Sequence, residues 1–375
     1  MKNFRFFLGL SALLLLVGAG CQKASESGSV PATSVNVTSE SQEVKQVKVG
    51  VMLPFTGDAA SYGESVKKAV ELAKSELGVD TIELVYEDSK CEGKDAATAV
   101  QKLISVDKVS AIIGELCSGA SLAAAPVAEQ NKIVMISPAS TAPNFSDAGE
   151  YIYRTVPSDL SQGAFGAKLA SDKGLKKMAV LYTNDDYGVG FDQVLKAEFP
   201  KLGGEVVASE AADRQSVDLR TQLTKIKVAN PDSLYIISNS PDTASAALKQ
   251  AKELGLKVTL FGSEGLKNQD IVEAAQGAAD GLIVTAVSGG NEAFAEAHKN
   301  KYAAEPGPFA AQGYDAFKLI AWAVQAGAGT GEEIKAKLDV VDYDGATGRL
   351  RFDAKGDVSG NYEVYVVKNS TFVKE

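Results

Sequence analysis

Four short segments combine hydroxyl, carboxyl or phenol groups with small neighbours: Leu116-Cys117-Ser118-Gly119, Pro138-Ala139-Ser140-Thr141, Asp186-Tyr187-Gly188 and Gly262-Ser263-Glu264-Gly265. Each lies at the end of an apolar run of strand type. Hydroxyls beside the free N–H groups of a helix start suit a carboxylate. A buried glutamate such as Glu264 needs a cationic or hydrogen-bonding partner, and an ammonium group on a ligand would supply one. Taken singly, each serine or threonine would be a helix cap, and Tyr62 and Tyr187 half-buried packing residues.

Covalent chemistry is harder to assemble from this chain. Its only histidine, His298, lies in the charged helical stretch EAFAEAHKNKY and is expected on the surface. A Ser-His-Asp arrangement would have to use that residue. There is no G-x-S-x-G elbow, no Gly-rich loop ending in Lys-Ser/Thr and no histidine-rich metal motif, so neither a metal nor a cofactor is expected. Carboxylates alone could serve a glycosidase, but no pair stands out. Binding is the better reading.

The elements that must position these residues follow an export leader. Lys2 and Arg5 precede an apolar run from Phe6 to Val17, then Gly18-Ala19-Gly20-Cys21. That run is shorter than the roughly 20 residues a bilayer span requires, and the pattern is that of a removable signal. A cysteine at the cut resembles a bacterial lipoprotein signal, with residues 1–20 removed and Cys21 lipidated, although Gly18 stands where leucine is usual. Residues 21–45 are rich in Ser, Thr, Val and Glu with no helical stripe, and read as a flexible tether. The net charge is -10, with basic and acidic residues interspersed. No basic footprint for nucleic acid exists. Cys91 and Cys117 remain as an even pair in an exported chain, either bridged across a loop of roughly 26 residues or as two buried thiols.

From residue 47 onward, short apolar runs alternate with amphipathic stretches. Strands are expected at 47–55, 82–88, 109–114, 132–138 and 151–157, with helices near 62–76, 94–106 and 119–130. Ser61 and Glu64 form a possible capping box for the first helix. The grammar restarts with helices near 160–173, 188–200, 215–229, 241–254 and 311–327 around strands at 178–185, 205–210, 233–238, 258–262 and 281–286. Beyond 340, GRLRFDAKGD and NYEVYVV look extended. The pattern predicts an α/β fold of two Rossmann-like lobes with open parallel sheets, ligands sitting beyond the strands' carboxyl ends.

The segments YEDSKCEGKDAATAVQKLI, IIGELCSGA, SPASTAPNFS, YIYRTVPSD, YTNDDYGVG and LFGSEGL resemble the periplasmic Leu/Ile/Val-binding proteins of ABC importers across roughly residues 47–370. The resemblance implies a type I periplasmic binding fold with a three-crossover hinge, the crossings near 157, 287 and 345–360. Lobe 1 would hold 46–157 and 288–350, and lobe 2 158–287 and 351–375. It implies a Cys91–Cys117 disulfide and a free amino acid as ligand. Ser118 and Thr141 would hold the α-carboxylate, the Ala139 carbonyl and Thr141 the ammonium, and Ser140 would line the same loop. Glu264 would pair with the ammonium after closure. Tyr187 would cover the ligand, while Tyr62 and Leu116 would line its side-chain pocket. Two positions depart from the family: Asn239 stands where a tyrosine is usual, and Asp58, otherwise a cap for the first helix, replaces a proline. The expected product is a monomeric, lipid-anchored receptor on the extracytoplasmic membrane face. It would pass a neutral, aliphatic or branched-chain amino acid to an inner-membrane permease. A sensory subunit, or an amide-, urea- or peptide-binding relative, is the alternative.

Overall fold

The computed structural model describes residues 46–375, so the leader, Cys21 and the tether lie outside the described residues. The chain opens with β1 (Val47–Leu53), α1 (Ala60–Leu77), β2 (Ile82–Asp88), α2 (Gly93–Lys102) and β3 (Ala111–Gly114). It continues through α3 (Ser118–Gln130), β4 (Val134–Ser137) and β5 (Ile152–Arg154). These strands pair in parallel in the order β2-β1-β3-β4-β5.

A second run follows: α4 (Asp159–Asp172), β6 (Lys177–Thr183), α5 (Asp186–Glu198), β7 (Glu205–Ala212) and α6 (Arg220–Val228). Then come β8 (Ser233–Ile237), α7 (Pro241–Glu253), β9 (Thr259–Gly262), α8 (Gln269–Ala274) and β10 (Ile283–Val287). The chain returns to the first lobe with α9 (Glu292–Tyr302), α10 (Ala310–Gln325), α11 (Gly331–Leu338) and the hairpin of β11 (Tyr343–Gly345) and β12 (Gly348–Leu350). It ends on the second sheet as β13 (Tyr362–Lys368) and β14 (Thr371–Lys374). That sheet runs β14-β13-β10-β9-β8-β6-β7, with β13 and β14 antiparallel to their neighbours.

Strand periodicity explains why the second sheet is buried on both faces. Met178, Val180, Tyr235 and Ile237 join one apolar cluster, whereas Ala179, Leu181, Leu234 and Ile236 join another. Successive side chains point to opposite faces, so a continuous apolar run feeds both cores. The first core draws on residues 47–153 and again on 294–358, including Phe317, Ile320, Ile334 and Val358. The last crossing therefore falls between Val358 and Tyr362, beyond the expected boundary at 350. Pro157, Ser288 and Gly360 line one small cavity, which places the three crossings side by side.

Several local expectations differ from what forms. Helix α1 begins at Ala60 with Ala59 as its cap residue and no side-chain cap. Ser61 instead accepts from Asn268 at 3.3 Å, and Glu64 pairs with Lys68 at 3.4 Å. Asp58 does not cap the helix either; it meets Arg214 at 3.1 Å. A complete capping box does occur at Thr330 and Glu333 of α11, a helix the periodicity missed. Residues 215–219 stay outside α6, and α2 ends in a π turn at Leu103–Asp107. His298 is buried at 2 % exposure: α9 packs on the first core and residues beyond it fold back, so that His298 Nδ1 lies 2.9 Å from the Ala304 carbonyl oxygen.

Cys91 and Cys117 form a disulfide across a separation of 26 residues, linking the β2–α2 loop to the start of α3. Closing that loop in the unfolded chain is worth about 3 kcal/mol in the chain-entropy account. Replacing both cysteines by serine should lower unfolding free energy by about 2–4 kcal/mol. Denaturant titration measures this, and a variant of unchanged stability would deny the bridge a structural role.

Candidate functional site

The first wall of the cleft is built where β3 and β4 end. Gly114 has φ +124, and a Cβ there would meet the Met52 carbonyl oxygen at 1.9 Å, so only glycine permits the turn. The turn delivers Leu116, Cys117 and Ser118, and α3 starts at Ser118. Its first N–H groups have no acceptor within the helix and face outward with the positive end of the dipole. Ser118 Oγ accepts from the Ala142 N–H at 3.2 Å, which ties this helix start to the β4 loop.

That loop is held by a fully buried arginine. Arg154 donates to both oxygens of Asp357, at 2.7 and 2.8 Å, to Ser146 Oγ at 2.7 Å, and to the carbonyls of Ala142 and Ser140 at 3.1 and 3.3 Å. Ser140 turns its own hydroxyl inward, 2.7 Å from Ser121 Oγ and 3.3 Å from the Leu116 carbonyl, so it braces the loop. Thr141 is fully buried, and its hydroxyl has no hydrogen-bond partner among the described residues.

The second wall brings carboxyl groups. Glu264 follows β9, in a turn so tight that a Cβ on Gly265 would lie 2.4 Å from the Ser238 carbonyl oxygen. Gln162 Nε2 donates to Glu264 at 2.7 Å and to the Thr285 carbonyl at 2.9 Å. Asp159, the first residue of α4, is fully buried, and neither of its carboxylate oxygens has a hydrogen-bond partner among the described residues. Burial, then repulsion from Glu264, pushes the Asp159 carboxyl well above its ordinary range. Burial likewise raises Glu264, to about 7, against the hydrogen bonds it receives. The Thr141 hydroxyl lies beside both carboxyls.

Between the walls is a cavity of about 30 Å³ lined by Tyr62, Leu116, Cys117, Ser118, Ala139, Tyr187, Asn239, Glu264, Gly265 and Phe309. Ser140 and Thr141 sit behind this surface. The phenol of Tyr62 donates to the Gly265 carbonyl at 2.9 Å and that of Tyr187 is 2.7 Å from Ser263 Oγ. With their hydroxyls engaged, both tyrosines line the space with their phenol hydrogen already donated. Asn239 donates to Asp185 Oδ2 at 2.9 Å, while Ser240 caps α7, so Asn239 is neither a cap nor turned to solvent. Asp159, Gln162 and Phe309 are members of the site that the residue patterns did not single out. Asp159 lies in SDLSQG, where an acid in the first turn of a helix is ordinary, and Phe309 sits in an irregular PGPF stretch at φ +59.

Contacts across the cleft hold it shut. Besides Tyr62–Gly265 and Ser61–Asn268, Arg214 reaches from beyond β7 to three acceptors of the first lobe: the Cys91 carbonyl at 2.6 Å, Glu92 at 2.8 Å and Asp58 at 3.1 Å. Asn144 adds a contact to Asp186 at 3.4 Å.

A helix start able to take a carboxylate on one wall, and acids able to take a cation on the other, define a two-lobed solute-binding protein. The chain belongs to the family of periplasmic binding proteins, whose family model matches residues 46–371. These are substrate-binding components of transport, not enzymes. Over 343 residues the chain is 28 % identical to the leucine-, isoleucine-, valine-, threonine- and alanine-binding protein of Pseudomonas aeruginosa, covering 87 % of this chain and 91 % of that one. The crystal structure of a leucine-binding protein from Thermotoga maritima is 31 % identical and superposes with a TM-score of 0.83, covering 88 % of this chain and 97 % of that one. A solute-binding protein of an ABC transporter from R. palustris, in complex with benzoate, shares the fold at 24 % identity and a TM-score of 0.81, with 88 % and 95 % covered.

Because Arg214 touches both lobes and lies away from the cavity lining, its loss should act on closure. Arg214→Ala should weaken every ligand by a common factor of about tenfold, through the lost charge-assisted bonds and a smaller closed population. Calorimetry over several ligands, with small-angle scattering of the variant, checks this; a changed ligand ranking would contradict it.

Proposed function

We propose that this chain captures a free neutral α-amino acid outside the cytoplasm and delivers it to a membrane permease, held at the membrane by a lipid on Cys21. The observation that carries this reading is the pair of buried carboxyls, Asp159 and Glu264, opposite the start of α3. A ligand carrying only a carboxylate would leave both acids without a counter-ion in a low-water site, a costly arrangement. A zwitterion answers both walls. Its carboxylate fits the N–H groups at Ser118 with the Ser118 and Thr141 hydroxyls. Its ammonium fits the Ala139 carbonyl, Thr141, Asp159 and Glu264. The P. aeruginosa relative's five amino acids all carry this pair of groups, which supports the same class here. Binding to the first lobe followed by approach of Glu264 would couple capture to closure, since the ammonium interacts with the acid only when the cleft shuts.

Mass spectrometry of co-purifying ligand, then calorimetry across the twenty amino acids, tests the reading. Binding of at least one neutral α-amino acid at sub-millimolar concentration is expected; a protein that binds only amines, sugars or simple carboxylic acids would refute it. Glu264→Gln and Asp159→Asn should each weaken binding by about 2–5 kcal/mol, because each removes a charged partner of a desolvated ammonium.

The pH dependence has a definite sign. Burial raises both carboxyls in the free protein, Glu264 to about 7, and a bound ammonium favours their ionised forms. Binding should therefore release protons, and affinity should rise as pH increases through about 7. Stability of the free protein runs the other way. The unfolded Glu264 carboxyl ionises from its ordinary value of 4.5 upward, so stability contributed by the protonated Glu264 is lost between there and about 7. Calorimetry in buffers of different ionisation enthalpy reads the proton count; uptake rather than release would exclude this account.

A further inference from the structure

Asn239 lines the cavity with its amide held in one orientation. Its orientation is fixed by Asp185, which caps α5: one carboxylate oxygen accepts from the Gly188 N–H at 2.9 Å and the other accepts from Asn239 Nδ2 at 2.9 Å. A carboxylate only accepts, so the amide nitrogen must face it. The amide oxygen is then directed away from Asp185. Asn239 Oδ1 is buried and has no hydrogen-bond partner among the described residues.

The two phenols lining this space have their hydroxyls engaged. Tyr62 and Tyr187 donate to Gly265 and Ser263, and Ser118 accepts from Ala142. Leu116 and Phe309 supply apolar surface, with the Phe309 ring edge-on to Tyr62 at 6.0 Å. An unpaired buried acceptor costs stability until something donates to it. Nothing on either wall does.

Resting on the amino-acid reading above, we infer that Asn239 Oδ1 is a specificity site that accepts a hydrogen bond from the ligand's own side chain. The preferred ligand is a neutral amino acid with a short side chain carrying a donor next to apolar surface, of the threonine or asparagine kind. A purely aliphatic ligand fills the same space but leaves Oδ1 desolvated and unpaired, and a site built around such a group rejects the isostere that lacks the donor.

Pairs of nearly equal shape isolate this effect. Calorimetry on the full mature chain should compare threonine with valine and asparagine with leucine, for the natural protein, Asn239→Leu and Asn239→Ala. In the natural protein the donor-bearing member of at least one pair should bind about tenfold more tightly or better. In both variants that preference should vanish, with valine or leucine bound at least as well as before in N239L. Retained aliphatic binding also shows that the variant is folded; if N239L binds neither member, N239A decides. Valine and leucine matching or exceeding their partners in the natural protein overturns the inference while leaving the amino-acid reading intact, as does a preference that survives both substitutions. Failure of every α-amino acid to bind overturns both.

Discussion

Two carboxyl groups are brought together out of water at the centre of this molecule, and much of its behaviour follows from that. Asp159 and Glu264 both belong to the second lobe, yet they face the first-lobe loop that carries Thr141. Arg154 lowers the energy of ionised Asp159 without a hydrogen bond to it, because its donors are engaged with Asp357, Ser146 and the carbonyls of residues 140 and 142. The two acids therefore shift upward rather than stay ionised. On the proposed reading, a group that enters with its own positive charge would convert this unfavourable environment into a binding site.

The engagement of Arg154 is what makes that division possible. A buried guanidinium is tolerated only when its donors are met, and here they are met by a residue of the returning chain and by the loop itself. Asp357 lies next to Val358, the end of the first core, just before the last crossing into β13. The same ion pair thus fixes the β4 loop and anchors the segment at the hinge. The disulfide does comparable work on the other loop, joining Cys117 at the helix start to Cys91, whose carbonyl receives Arg214. Rigid loops in the first lobe present the atoms proposed to bind the ligand, and the second lobe would supply charge and cover.

Much of this was legible in the residue order. Apolar runs at 47–53, 111–114, 134–137 and 233–237 needed no tertiary information, because strands buried on both faces are apolar throughout. Ser118 and Glu264 stood out since each sits among small residues at such a strand's end. Asp159 did not, because an acid in the first turn of a helix is ordinary there, and only its burial opposite Glu264 marks it. Arg214 was invisible for another reason: it lies in irregular chain, and its three acceptors come from residues 58 to 92, more than a hundred positions away. The Ser61–Glu64 pattern misled because the side chains that would form the box are drawn elsewhere, Ser61 to the facing lobe and Glu64 to Lys68. His298 misled because its helix is amphipathic about a core that only the fold supplies.

The site also separates two kinds of recognition by the elements that carry them. Groups suited to the constant part of an amino acid come from the ends of β3, β4 and β9 and the start of α4, where Gly114, Gly265 and Arg154 leave little freedom. Groups suited to the variable part come from helix starts and loops: Tyr62 in α1, Tyr187 in α5, Asn239 after β8 and Phe309 before α10. A substitution in the second set alters volume and polarity at the far end of the cavity without moving a strand. The fold can therefore keep one clamp and change its clientele through single side chains. Asn239 has the features such a change requires: it lines the cavity and is oriented by a neighbour that also caps a helix, so its amide is held without disturbing the backbone.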